Sequence, residues 1–218
     1  MVTDPSPQTA PRPGELIAML ITGAGQVVTD SLARMGCISA WGPLEADAIF
    51  NLAAALAWTL YLAFRVLTVP GQIQAWGFRS DHLKHGTYLN GIFLACAVPL
   101  ILLLGLLLRR YPQPAGFWIA LAIYPIWGIA QQFALQNLVR HNLSRWIPGA
   151  WPRIILTASL FSVAHTPDLP LMILTWIAGI AFSWIYEKAP NIWPLGLAHG
   201  VLGTLAYYII LGRNPLAF

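Results

Sequence analysis

The sequence predicts an all-α protein, a polytopic bundle of six to seven transmembrane helices. Hydrophobic residues occupy 57% of the 218 positions and charged residues only 9%, so the chain is more apolar and less charged than a soluble domain. Apolar stretches of about 20 residues, which is the length needed to cross a bilayer as a helix, also recur along it. So few polar residues cannot cover a water-soluble surface, and we therefore predict an integral membrane protein.

The N-terminal residues 1–13 are rich in proline and are predicted to form a disordered tail. They lack the basic start and short apolar core of a signal peptide. Residues 14–218 are predicted to form a single transmembrane helical domain. The net charge of +4 comes from basic residues between apolar stretches, where such residues anchor loops. The charge therefore indicates the lipid bilayer as a partner rather than a nucleic acid, and we expect a multi-pass protein of the cell (inner) membrane.

Six apolar stretches are predicted to be spans. The second stretch, 87–108, is followed by Arg109 and Arg110. The third, 116–138, is apolar despite its glutamines, and the fourth, 152–164, begins with a proline but is somewhat short. Residues 15–38 contain Asp30, Arg34 and three glycines, so they are either a seventh span or an amphipathic surface helix. Basic residues divide six to five between the two sides of a six-span arrangement, so no orientation follows. The predicted spans are 48–67, 87–108, 116–138, 152–164, 169–186 and 192–211.

Polar residues inside the apolar stretches indicate where a functional site lies. His165 and His199 occur in the fourth and last stretches, and groups of this kind at membrane depth are costly and usually face a protein-lined cavity. We predict that the three polar segments converge on one site in the membrane. The third stretch contributes four amide side chains, those of Gln131, Gln132, Gln136 and Asn137.

The amide side chains can hold a water, a carbonyl group or a partner helix, but they cannot act as general bases. Gln132 and Gln136 are four residues apart and share a helix face, and Gln131 flanks them. A single glutamine is typical of interhelical hydrogen bonding. A cluster of three is as consistent with a functional cavity as with that structural role.

The two histidines suit proton transfer near neutral pH, and also metal binding. His165 ends the predicted fourth span and precedes Pro167, which should break the helix. It could therefore serve a catalytic site or simply bond a carbonyl at the helix end. His199 lies near the middle of the last span, where burial requires a partner.

Several common enzyme motifs are missing from the sequence. It contains no HExxH zinc motif, no GxSxG nucleophile elbow, no Walker loop and no paired-aspartate motif for a prenyl diphosphate. The sequence requires no cofactor and leaves the metal ligands unknown. His165 and His199 could bind zinc, but two ligands without a nearby carboxylate fall short of an ordinary catalytic zinc site.

The order of these segments resembles the CPBP family, which comprises type II CAAX prenyl proteases, bacteriocin-processing enzymes and Abi proteins. The family motif FxxxH is intact from Phe161 to His165, and the resemblance covers roughly residues 76–211. It implies an Abi-like helical fold and an intramembrane protease that cleaves a lipidated or membrane peptide. The approach to the third motif is matched by Gly179, Tyr186, Asn191, Ile192, Trp193, Pro194 and His199.

The first motif of the family, EExxxR, is altered in this chain. Gln131 and Gln132 replace the glutamate pair, Gln136 replaces the arginine, and Gly203 replaces the asparagine that often follows the last histidine. In the family, a glutamate and a histidine are thought to activate water. The combined losses predict a neutral site that keeps its shape and hydrogen bonding but lacks a carboxylate base.

The resemblance assigns roles to the candidate residues of this chain. It implies that His165 binds or activates water and that His199 donates a hydrogen bond to an oxyanion, with Gln131 and Gln132 as catalytic partners. The remaining candidates, which orient or bind substrate, are Gln136, Asn137 and Phe161.

Three hypotheses follow for the function. The first is a CPBP-type hydrolase, favoured by the two retained histidines. The second is a non-proteolytic binding or scaffold protein on the same fold, favoured by the glutamine replacements. The third is an enzyme that uses the histidines for proton transfer on an apolar lipid or isoprenoid, which no particular residue favours.

Overall fold

The computed structural model describes residues 10–38, 46–110 and 114–214, and these residues contain helices and no strand. The predicted all-α class is therefore confirmed. Within the predicted tail, residues 1–9 lie outside the described residues, and the first helix begins at Pro13. A proline suits that position because the N–H that it lacks would have no partner in the first turn.

Eight helices follow one another in the described part of the chain, and two of them continue as π-helical segments. The long fifth helix changes to π geometry at Ala134, so several of its polar residues lie in the π-helical segment. The helices are α1 (Pro13–Arg34), α2 (Ala46–Thr68), α3 (Gln72–Ala75), α4 (Leu83–Leu108), α5 (Pro114–Phe133, then π over Ala134–His141), α6 (Ala150–Val163), α7 (Leu169–Lys188) and α8 (Ile192–Leu205, then π over Ala206–Leu211).

Six of the described helices are long and apolar enough to cross a membrane: α1, α2, α4, α5, α7 and α8. The ambiguous stretch 15–38 therefore overlaps a candidate span, Pro13–Ala33 of α1. The prediction of a span at 152–164 is corrected, because α6 has only 14 residues. At 1.5 Å per residue it extends about 21 Å, which is less than the roughly 30 Å of a bilayer core. α6 alone is therefore too short to cross the bilayer core.

The buried centre of the bundle is α8, which packs along α5 at backbone contact. A Cβ on Gly128 of α5 would lie 2.5 Å from the carbonyl oxygen of Gly196, and one on Gly200 would overlap the backbone of Pro125. Small residues permit this close approach between membrane helices, where dispersion contacts and hydrogen bonds drive association. The glycines therefore set the distance between α5 and α8.

The loops define two ends of the bundle, which we call proximal and distal. At the proximal end, where α1 begins, the backbone N–H of Arg12 donates to Asn142 Oδ1 over 2.6 Å, and Asn191 Nδ2 donates to the carbonyl of Arg79 over 2.6 Å. At the distal end, Arg213 pairs with Asp168 at 2.5 Å. Asp168 also accepts from the Leu171 N–H and so caps the start of α7.

The contact between α5 and α8 predicts that Gly200→Ala destabilises the protein. The new methyl group would meet the Pro125 backbone, and overpacking of this kind costs about 1–3 kcal/mol. The thermal unfolding midpoint in a fixed detergent measures the effect. The matched control is Gly91→Ala on α4, where nothing lies within 4 Å of the added Cβ and the expected change is within about 1 kcal/mol. Equal midpoints for the two variants would contradict the close-contact account.

Candidate active site

The polar face of α5 carries three side chains at four-residue intervals: Gln132, Gln136 and Arg140. This spacing places them on one side of the helix. Gln136 and Arg140 lie in the π-helical continuation. This geometry is rare in proteins, and where it occurs it is often at a functional site. The polar row therefore runs from the middle of α5 toward the proximal end.

These side chains form a continuous row of hydrogen bonds that ends at His199, which we call the amide chain. Arg140 Nε donates to Gln136 Oε1 over 3.0 Å, Gln136 Nε2 donates to Gln132 Oε1 over 3.0 Å, and Gln132 Nε2 lies 2.8 Å from His199 Nδ1. Both glutamines are fully buried and His199 is 8% exposed. The buried histidine thus has the partner that its depth requires.

An ion-pair cluster holds the proximal end of the amide chain. Arg140 donates to Glu187 of α7, and Arg153 Nη2 of α6 approaches the same carboxylate at 3.4 Å. The Arg140 guanidinium also lies 5.2 Å from the centre of the Tyr186 ring. Charged side chains therefore adjoin the glutamines, which themselves carry no charge. A guanidinium is present one turn beyond Gln136.

Aromatic rings hold the His199 imidazole in place. The Phe182 ring is stacked on it, with centroids 5.3 Å apart and an interplanar angle of 8°. The Phe161 ring lies 5.8 Å from it in a steeply tilted arrangement. Together with the bond to Gln132, these contacts leave the imidazole little freedom to rotate.

His165 lies in the turn after α6 and contacts the same phenylalanine. Its ring centroid is 5.0 Å from that of Phe161, and its Nδ1 lies 2.7 Å from the Phe161 carbonyl oxygen. A carbonyl only accepts, so His165 Nδ1 carries a proton and the neutral ring keeps a lone pair on Nε2. The helix-end bond considered from the sequence is therefore present, and it leaves the second nitrogen available as a base.

The structure brings five of the predicted site residues together and leaves two apart. Gln131 is half-buried and is not part of the amide chain. Asn137 turns away from the histidines: it donates to the Trp76 carbonyl over 3.0 Å and accepts from the Tyr186 hydroxyl over 3.4 Å. Asn137 thus joins α5 to the loop after α3 and to α7. The five that assemble are Gln132, Gln136, Phe161, His165 and His199.

Gly203, which replaces the expected asparagine, has a steric explanation. It lies one turn after His199, and a Cβ there would be 2.6 Å from an edge carbon of the Tyr124 ring. The ring of Tyr124 therefore occupies the space that a side chain at position 203 would need.

Sequence reasoning missed three supporting residues: Arg140, Ser183 and Glu187. Glu187 lies at the end of an apolar stretch and accepts from two arginines. Ser183 Oγ lies 3.3 Å from Gln136 Nε2. A signal was available, because Arg140 continues the four-residue spacing of the glutamines and Ser183 and Glu187 share that spacing on α7.

The donor set around the histidines does not suit a metal ion. Among the described residues, no three His, Cys, Asp or Glu side chains are grouped so that they could hold one. His199 Nδ1 is engaged by Gln132, and Asp168 is engaged by Arg213 and the α7 N-terminus. A catalytic zinc site has three protein ligands, so the residues present do not fit zinc.

Two cavities, of about 630 and 330 Å³, lie near the proximal end rather than beside the histidines. The larger is lined by α1 and α2, including Trp58 and Tyr61. The smaller lies between Arg12, Arg65 and Arg79. Neither cavity has a histidine of the pair in its wall.

Comparison with known proteins supports the resemblance found in the sequence. Residues 111–205 match the model of a family described as Type II CAAX prenyl endopeptidase Rce1-like. No curated protein and no solved structure matches the chain. The matched segment includes α5 to α8 and therefore both histidines and the amide chain. The resemblance to the CPBP family is thus confirmed over residues 111–205, the part of this integral membrane protein that is similar to Rce1-like type II CAAX prenyl endopeptidases.

Proposed function

We propose that the protein is an intramembrane hydrolase that cleaves a peptide bond in a lipidated protein, with His165 as the base and His199 as the oxyanion donor. The observation that carries this proposal is the placement of both imidazoles against the Phe161 ring, at 5.0 and 5.8 Å. The lone pair that His165 keeps on Nε2 supports its role as a base. The similarity to prenyl endopeptidases favours a prenylated C-terminal peptide as substrate.

The proposed reaction needs only water and the two histidines. His165 Nε2 takes a proton from water as the water oxygen bonds to the carbon of the scissile carbonyl. The oxyanion that develops accepts a hydrogen bond from His199 Nε2–H. The carbon–nitrogen bond then breaks as His165 returns its proton to the leaving nitrogen, which yields a carboxyl group and an amine.

The glutamines keep His199 oriented in this scheme, and Gln132 does so directly over 2.8 Å. A neutral imidazole can accept a proton from water without a carboxylate partner. The missing glutamates therefore remove the family's usual base but not every base from the site.

A second candidate function is a binding protein that holds a peptide or lipid tail without cleaving it. The buried amide chain favours it, because Gln132 and Gln136 are engaged with each other and with protein partners. Under this alternative the histidines stabilise the bundle and perform no chemistry.

Replacement of either histidine tests the proposed reaction. In vesicles with a farnesylated CaaX-type peptide, we expect His165→Ala to reduce release of the terminal tripeptide by about 10²- to 10⁴-fold. His199→Ala should reduce it by about 10²- to 10³-fold. The measurement is tripeptide release at equal amounts of inserted, folded protein.

The matched control is His85→Ala, an exposed residue of α4 outside the site, which should retain full release. Full release by either site variant would remove that histidine from the reaction. A wild type that binds the peptide in these vesicles but releases nothing would favour the binding protein.

We also propose that the proximal end faces the cytoplasm of a cell whose inner membrane holds the protein. Once α1 crosses, eight of the 12 basic residues lie at or near the proximal end and four at the distal end. An excess of lysine and arginine marks the cytoplasmic side. The proximal residues are Arg12, Arg65, Arg79, Lys84, Arg140, Arg145, Arg153 and Lys188, and the distal ones are Arg34, Arg109, Arg110 and Arg213.

The two native cysteines test this orientation. Cys37 is exposed just after α1 at the distal end, whereas Cys96 lies within α4. A membrane-impermeant maleimide added to intact cells should label Cys37, and Cys37→Ser should abolish the signal. Labelling of Cys37 only after the cells are opened would reverse the orientation.

A further inference from the structure

The amide chain can be satisfied in only one direction, and Arg140 sets that direction. A guanidinium has donors and no acceptor. The Gln136 atom that lies 3.0 Å from Arg140 Nε must therefore be the carbonyl oxygen. This orientation turns the Gln136 amide nitrogen toward Gln132.

The same reasoning passes from Gln136 to His199. The Gln136 nitrogen donates, so the Gln132 atom 3.0 Å away must be its oxygen, and the Gln132 nitrogen then faces His199 Nδ1 at 2.8 Å. A proton on Nδ1 would place two donors against each other. His199 Nδ1 must carry the lone pair, and the proton of the neutral ring is on Nε2.

Burial prevents the chain from relaxing to another arrangement. Gln132 and Gln136 have no exposed surface and His199 is 8% exposed, so water does not readily replace a lost partner. An unpaired buried donor is costly. Arg140 is itself anchored by Glu187 of α7 and by the Tyr186 ring.

We propose that Arg140 is a positioning residue that acts through Gln136 and Gln132 to hold His199 in the tautomer protonated at Nε2. This inference deepens the proposed function and rests on it, since the held Nε2–H is the oxyanion donor of that reaction. The Phe161 carbonyl holds His165 in the opposite tautomer, with its lone pair on Nε2. The site therefore presents one base and one donor from two identical side chains.

The proposal gives the glutamine at position 132 a chemical purpose. A carboxylate there would only accept, so a neutral His199 would carry its proton on Nδ1 and its lone pair on Nε2. Glutamine supplies the N–H that prevents this.

The decisive variant is Gln136→Glu, which changes the direction of the chain without touching His199. A carboxylate at position 136 accepts from Arg140 and cannot donate to Gln132. The Gln132 amide should then turn its nitrogen toward Glu and its oxygen toward His199, which moves the histidine proton to Nδ1. Ring-nitrogen NMR of protein labelled with ¹⁵N-histidine measures which nitrogen is protonated. His199→Gln identifies the His199 signals among the five histidines.

In the wild type, we expect His199 to be protonated at Nε2, and in Gln136→Glu at Nδ1. Gln131→Glu is the matched control, because it adds the same charge one residue outside the chain and should leave the His199 tautomer unchanged. If Gln136→Glu does not fold, Gln132→Glu should produce the same inversion by direct contact. A wild-type His199 protonated at Nδ1, or a folded variant that keeps Nε2–H, would overturn the proposal.

This readout needs no substrate, so its failure is distinct from a failure of the proposed hydrolysis. If the reaction also occurs as proposed, inversion should reduce peptide release by about 10²- to 10³-fold, the loss typical of a removed oxyanion donor. If Gln136→Glu inverts the His199 tautomer but leaves peptide release unchanged, Arg140 positions His199 as proposed. Its contribution to catalysis would then be contradicted.

Discussion

The site depends on the backbone contact between α5 and α8. Gly128 and Gly200 let the two helices approach until a Cβ on either would meet the opposing backbone. At this separation Gln132 of α5 lies 2.8 Å from the imidazole on α8. Because no hydrophobic driving force draws helices together in lipid, small residues and polar bonds of this kind supply the specificity of packing. The same contact thus determines the bundle centre and the position of His199.

The ion-pair cluster lies at the proximal end, and the amide chain extends from it into the bundle as a row of hydrogen bonds. The cluster joins three helices, because Glu187 of α7 pairs with Arg140 of α5 and with Arg153 of α6. From there the two glutamines extend inward without any formal charge, which avoids the desolvation that an ion at their depth would require. In the proposed role of Arg140, the amides pass on an orientation imposed from outside the apolar core, which a carboxylate, having only acceptors, could not do.

The sequence allowed the fold class, the apolar helices and the shared helix face of Gln132 and Gln136 to be predicted, because hydropathy and helical spacing are local properties. It also directed attention to His165 and His199 through the cost of polar groups at depth. Spacing alone did not place Asn137, which turns to Trp76, or show that α6 is too short to cross. The support from Glu187 depends on how α7 packs beside α5, a tertiary relation that one sequence does not encode locally.

The most direct test of the central claim, that the histidine pair cleaves peptide bonds, compares host membranes that contain the wild type with membranes that contain the His165→Ala/His199→Ala double variant. The measurement is the profile of protein N-terminal peptides, with lipid extracts examined alongside. The account predicts new protein termini that depend on both histidines. Matching profiles in a host that contains the natural partners would contradict it in favour of a binding protein. Altered lipids with unchanged termini would contradict it in favour of chemistry on an apolar lipid.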